Sequence, residues 1–278
     1  MKTMTISEQR AALFRQQRRG QGTLADYRPG YTLSEIPKAG RVHRYPCAPE
    51  GRTVTLRSDG VLAEFLEACW DWRTKGICDS APLDLERTSA IARRLHLRHP
   101  AYEDGSPRIL VTDLLVTRRA ADGSLSDEAI DTVSRAPSDP VHLPARLAII
   151  REYWESQGVA WRLSVKDGLN SNRAVNLNWL YMTGERVRAC GLSDREQYVQ
   201  RLIEHELFDG FDWTVGDACH AVTRGNGLRP GESVRALRQL LAMRRITFDI
   251  DAADVMSLSP RQLRQNHRQP RAGRLDVR

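Results

Sequence analysis

Apolar residues recur at three- and four-residue spacing from Asp59 to Trp72. Val61, Leu62, Phe65, Leu66 and Cys69 fall on one face, and Ser58 stands where an N-cap belongs. That pattern predicts an amphipathic helix. A second helix is predicted over Ser7–Arg19, with Ser7 as its cap. Residues 20–52, between the two, are rich in glycine and proline and read as extended chain and turns. Lys75–Cys78 reads as a short strand and Arg87–Leu95 as a short helix. Arg108–Arg118, "RILVTDLLVTR", is a run of β-branched and leucine residues broken by Asp113, which predicts a strand. "AADGS" supplies a turn, and Asp127–Arg135 is the returning strand. Leu143–Gln157 reads as an amphipathic helix ended by Gly158, Ala160–Val165 as a strand and Asn172–Tyr181 as a helix.

This order predicts an α/β domain with a mixed sheet flanked by helices. A polar stretch at Thr183–Ser193 reads as a boundary. Beyond it come helices over Asp194–Phe208, Thr214–Val222 and Ser233–Arg244, and a strand over Ile246–Ile250, a pattern expected of a small winged-helix-like domain. The expected organisation is an N-terminal helix and arm (1–57), the α/β domain (58–182), the winged-helix-like domain (183–258) and a basic, disordered tail (259–278).

Composition narrows the class. Hydrophobic residues make up 41% and charged residues 28%, as in a globular protein. No apolar run approaches the roughly 18 residues that span a bilayer, and the N-terminus lacks a secretory apolar core, so no membrane partner is expected and a cytoplasmic location is. Five cysteines, Cys47, Cys69, Cys78, Cys190 and Cys219, show no CxxC spacing and read as buried thiols. The six tryptophans read as core. Net charge is +7, and Arg261–Arg278 holds six arginines against one aspartate, which leaves the body nearly neutral. Arg261, Arg264, Arg268, Arg271 and Arg274 are candidate contacts to DNA phosphates; a solvated terminus is the alternative.

Asp113 is the most informative carboxylate. A charge inside an apolar strand costs several kcal/mol unless it is paired or metal-bound. Metal-dependent nucleases gather carboxylates around magnesium, which activates water and stabilises charge on phosphate, and often place a lysine beside them. The usual layout is an acid on a preceding helix, an acid on one strand and acid-x-lysine on the next, since residues two apart share a face. Here the helix offers Glu64 and Glu67, the first strand Asp113 and the second Asp131. Val133 stands at the lysine position, and Arg135 is the next cation on that face. His96 and His99 lack a third ligand for a metal.

Several segments in order resemble the TnsA family, the endonuclease subunit of a heteromeric bacterial transposase. They are "RGQG…DYRP" (Arg19–Pro29), "SEIPKAGRVHR" (Ser34–Arg44), the Ser58–Leu66 helix, "RTSAIARRLHLRHP" (Arg87–Pro100), "VTDLLV" (Val111–Val116), "REYWESQGVAW" (Arg151–Trp161) and "NLNWLY" (Asn176–Tyr181). The resemblance implies a restriction-endonuclease-like fold of the PD-(D/E)xK type. It implies cleavage at the 5′ ends of a transposon in double-stranded DNA, beside a TnsB-like transposase and a TnsC-like ATPase, with a second TnsA-like subunit as a further expected partner. It implies magnesium or manganese held by Asp113 and Asp131 if the site functions. Asp113 matches the family's strand aspartate. The family's helix glutamate falls at Val61, with Glu64 one turn later, and its glutamine-x-lysine falls at Asp131 and Val133; a register shifted by two puts Arg135 in the lysine's place. Asp79 and Ser80 stand where the family tends to have Glu-Gln. Departures concentrated at catalytic positions imply a weakened or inactive nuclease. Two other readings stand beside that one: an active metal-dependent endonuclease using Asp113 and Asp131 with Arg135 compensating, and a winged-helix DNA-binding regulator with no part in transposition.

Overall fold

Thr5, not Ser7, caps the first helix of the computed structural model, which describes residues 4–36, 40–47, 50–138, 143–209 and 214–266. Helix α1 spans Ile6–Gln16. The Thr5 side chain accepts the Glu8 N–H and Glu8 returns a bond to the Thr5 N–H, a reciprocal capping box. Ser7 is the second residue of the helix and buried, and its N–H goes to the Ser106 hydroxyl at 3.1 Å.

The chain divides into two units, Met1–Leu169 and Asn170–Arg278. In the first, β1 (His43–Cys47) and β2 (Arg52–Leu56) pair antiparallel, in a stretch expected to be extended chain and turns. The alternation in "RTVTL" is the signal for β2: Val54 and Leu56 are fully buried. Helix α2 (Asp59–Trp70) follows, with Ser58 accepting the Val61 N–H as its cap. Phe65, Leu62 and Leu66 are at most 1% exposed, and each contributes about 1.5–3 kcal/mol of apolar burial. Trp72, expected in the core, is 72% exposed. Strand β3 runs over Thr74–Pro82, longer than the short strand expected, because its second half carries buried polar residues. Asp79 there accepts from Arg52 at 2.6 Å and from the Thr55 N–H at 2.9 Å.

Helix α3 (Leu85–Arg94), β4 (Val111–Arg119), β5 (Leu125–Val133), α4 (Ala145–Glu155) and β6 (Ala160–Val165) complete the unit. The sheet order is β3-β4-β5-β6, antiparallel except for the parallel β5–β6 pair. This is a mixed sheet flanked by helices. Alternate residues of β6 separate its faces: Arg162 and Ser164 bond to Glu64 of α2, while Trp161 packs on the α3–α4 cluster of Ile91, Ile149, Ile150 and Tyr153.

In the second unit, α5 (Asn172–Cys190) continues through the stretch expected to be a boundary. Its polar residues Arg186 and Arg188 face water, while Gly184 and Val187 are buried, so a polar composition hid an amphipathic turn. Helices α6 (Asp194–Asp209), α7 (Val215–Gly225) and α8 (Glu232–Ala242) follow. Strand β7 is only Ile246–Thr247 and pairs with β8 (Arg264–Gln265). The start of the expected disordered tail is therefore folded: Pro260 and Leu263 are buried and Arg261 and Arg264 exposed. Arg268, Arg271 and Arg274 lie outside the described residues. Cys47 and Cys219 are buried as expected, whereas Cys190 is exposed. Among the described residues no helix is long and apolar enough to cross a membrane.

Candidate active site

Strands β4 and β5 pair from Arg119↔Leu125 down to Leu114↔Ile130. One step further along that register sets Asp113 opposite Asp131, so both carboxylates rise from one face at the centre of the sheet. There the ladder ends, and the Asp113 carboxylate takes the place of a main-chain acceptor. Its Oδ2 receives the Thr132 N–H at 2.8 Å and the Thr132 hydroxyl at 2.9 Å. Its Oδ1 receives Nε of Arg57. Asp131 Oδ2 accepts from the Trp161 indole at 3.0 Å. Asp131 Oδ1 is buried with no hydrogen-bond partner, 3.6 Å from Nη2 of Arg146. Asp113 is 3% exposed and Asp131 fully buried.

Two buried acids this close oppose each other's ionisation. Burial, and then the Asp113 charge, push Asp131 up to about 7, against the pull of Arg146, the Trp161 hydrogen bond and Arg57. Burial works against the Arg57 charge, but Asp113 outweighs it and raises the pKa of the guanidinium. Both arginines are placed by local structure. Arg57 lies between the end of β2 and the cap of α2, and Arg146 lies in the first turn of α4. Helix α4 is tied to the sheet beside Asp113 by the Trp154 indole, which donates to Thr112 at 2.8 Å.

Glu64 does not join this pair. It is 2% exposed, and its oxygens accept from Arg162 at 2.6 Å and Ser164 at 2.7 Å, with Lys166 at 3.6 Å, on the face opposite Trp161. Burial opposes its charge, yet the bonds from Arg162 and Ser164 hold its pKa below the usual carboxylate value. Glu67 pairs with Lys166 at 3.8 Å. Arg135 lies two residues beyond the end of β5, exposed. Val133 ends β5, and its carbonyl accepts the Lys166 N–H at 2.9 Å while the lysine side chain turns to Glu64 and Glu67. The structure thus brings Asp113 and Asp131 together and leaves Glu64 and Arg135 apart from them. Sequence reasoning missed Arg57, Thr132, Arg146 and Trp161. No local pattern marks them, since their roles arise only from pairing between distant segments.

A divalent cation of the magnesium type takes about six oxygen ligands. The unpaired Asp131 Oδ1 is one available acceptor. Both oxygens of Asp113 are engaged, a guanidinium stands beside each carboxylate, and Val61 and Val133 offer no donor. Among the described residues no three histidine, cysteine, aspartate or glutamate side chains converge on a metal position. The donor set as arranged does not fit a resident divalent cation.

A mixed sheet flanked by helices, with two buried aspartates opposed across its central strands, belongs to the endonuclease-like α/β class. Comparison with known proteins is more specific. Residues 169–250 match the family described as TnsA endonuclease C terminal. Over 233 residues the chain is 30% identical to the transposon Tn7 transposition protein TnsA of Escherichia coli, a match covering 84% of this chain and 82% of that relative. The chain belongs to the TnsA family.

Proposed function

We propose that this TnsA-like transposase subunit acts at the ends of a Tn7-type element with its own 5′-end cleavage chemistry weakened or lost. The observation that carries this reading is the Arg57–Asp113 ion pair opposite Asp131. Hydrolysis of a phosphodiester needs an activated water and a positive charge free to follow the charge developing on phosphate. Here that charge is spent on a buried carboxylate, and the position expected to hold a lysine is Val133. An arginine stays protonated and cannot act as a base. The proposed scaffold is of the PD-(D/E)xK type. The proposed partners are double-stranded transposon ends, a TnsB-like transposase, a TnsC-like ATPase and a second TnsA-like copy. Helices α6–α8 with the short β7–β8 pair fit a winged-helix-like module.

The unpaired Asp131 Oδ1 favours one second reading. In it, DNA draws Arg57 away and the freed acids take up magnesium or manganese. Family membership leaves the third reading, a regulator outside transposition, without support. The deciding experiment is 5′-strand nicking of labelled transposon ends by the chain with its partner proteins, in manganese. The proposal expects nicking at or only slightly above the level of Asp113→Ala; robust nicking that disappears in Asp113→Ala establishes the second reading.

A further inference from the structure

We infer that the outer edge of β6 is a docking surface for a second copy of this chain, which lays its own β6 antiparallel along it and joins two four-stranded sheets into one. This rests on the proposed function, where a second copy is one of the partners, and it names the surface that receives that copy.

Strand β6 ends the order β3-β4-β5-β6, and its pairing with β5 occupies only one of its two sides. One bond fixes the direction of its backbone groups: the Lys166 N–H points to the Val133 carbonyl of β5. Alternate residues of a strand direct their groups to the same side, so Ser164 and Arg162 also point to β5. Trp161, Leu163 and Val165 then each direct an N–H and a C=O away from the sheet. Among the described residues no main-chain bond meets them. Such an edge is usually guarded by proline, a bulge or a charge held over it. "AWRLSV" contains no proline, and its register with β5 is unbroken from Ala160 to Val165. Its cations are held over the sheet face instead: Arg162 bonds Glu64 at 2.6 Å and Glu128 at 3.0 Å, and Lys166 lies 3.6 Å from Glu64. Val165, at the end of the open edge, is 50% exposed.

Charge selects the register. A twofold axis normal to the sheet keeps each helix layer on its own side, and hydrogen bonds form only between outward-directed residues. Centred on Arg162, the pairing sets two arginines opposite each other. Centred on Ser164, it sets Arg162 opposite Lys166 of the second copy. Like charges directly opposite are destabilising. Centred on Leu163, Arg162 meets Ser164, the leucines meet each other, and Trp161 meets Val165. An aromatic residue opposite a β-branched one is a favourable pair, and here it covers the exposed valine of both copies. In this register Trp161, Leu163 and Val165 all exchange both of their outward bonds. The strand is thus complementary to itself, which makes a second copy its occupant.

The experiment reads that register in the full chain, without DNA or metal. Leu163→Cys and Val165→Cys are each made in a Cys190→Ser background, which removes an exposed native thiol, and oxidised with glutathione disulfide. The two Leu163 Cα atoms lie about 5.5 Å apart in this pairing, within the span of a disulfide. The two Val165 Cα atoms lie about 13 Å apart, beyond it. Covalent dimer is expected from Leu163→Cys and little from Val165→Cys, although Val165 is the more exposed side chain. Crosslinking of Leu163→Cys that does not exceed that of Val165→Cys overturns the inference. One strand pair buries less than the roughly 1,200 Å² of a standard interface, so the dimer is weak and sedimentation equilibrium is run up to about 200 μM. Wild type should dimerise there, and Val165→Lys should raise the dissociation constant about tenfold, since the substitution strikes two symmetric pairs. A wild type that stays monomeric, or a Val165→Lys chain of unchanged melting temperature that dimerises equally well, overturns the inference and leaves the edge to a strand of another protein. Neither readout involves cleavage, so its failure is separable from failure of the proposed function, which shows itself as manganese-dependent nicking.

Discussion

Thr132 gives both its backbone N–H and its hydroxyl to a single oxygen of Asp113, at 2.8 and 2.9 Å, across the point where β4 and β5 stop pairing. The aspartate thus closes the end of a sheet ladder as well as facing Asp131. Thr132→Val keeps the shape and the N–H but removes the hydroxyl. A hydrogen bond to a charged group contributes about 1.5–3 kcal/mol, so a loss near the lower end is expected, because one donor remains. Urea unfolding at pH 8, with the two proteins compared at equal concentration, checks it.

Arg57→Ala leaves the Asp113 charge buried and loses its strongest partner. Breaking a fully buried pair costs about 3–5 kcal/mol; a third of Arg57 is in water, so the expected loss lies at or below about 3 kcal/mol. Asp113→Asn in the same chain should recover part of that stability, since no charge is then stranded. Additive losses in the double-mutant cycle would refute direct coupling.

Asp131 gives a pH dependence of definite sign. Its folded pKa is raised above the unfolded value of 3.8, so the fold holds its neutral form better. Its contribution is fully present below pH 3.8 and is lost as pH rises through about 7. Asp131→Asn should therefore gain stability relative to wild type between pH 5 and pH 8, the difference growing with pH. A difference that shrinks with pH in urea titrations contradicts the placement of the pair.

Glu64 belongs to the opposite face. Glu64→Gln should lower the melting temperature, because Arg162 and Lys166 lose the carboxylate they share. It should leave the pH-dependent stability gain of Asp131→Asn unchanged, since the two acids lie on opposite faces of the sheet. A gain that changes in the Glu64→Gln background would place Glu64 with the acid pair after all.

The terminal arginines remain candidates for phosphate contact. Replacing Arg268, Arg271 and Arg274 together by glutamine should lower the salt slope of duplex binding by about three, if each neutralises one phosphate. An unchanged slope in the same titration means the tail is only solvated.

Local chemistry made much of this fold readable in advance. The helix over Asp59–Trp70 announces itself through its cap and apolar stripe, because both are set by residues within a turn or two. The cost of a charge in an apolar strand singled out Asp113, and alternation placed Asp131 on the matching face. Elements with buried polar residues were harder. The second half of β3 and the later turns of α5 are polar in composition, and only packing partners such as Arg52 and Ala242 explain their place. The tertiary structure alone decided that Arg57 and Arg146 hold the acids, and that Glu64 lies across the sheet from them. The reason is physical: a periodic pattern reports which side of its own element a residue occupies. The partner of a charge is set by how segments 30 to 100 residues apart come together, as in Trp161 with Asp131 and Ser164 with Glu64.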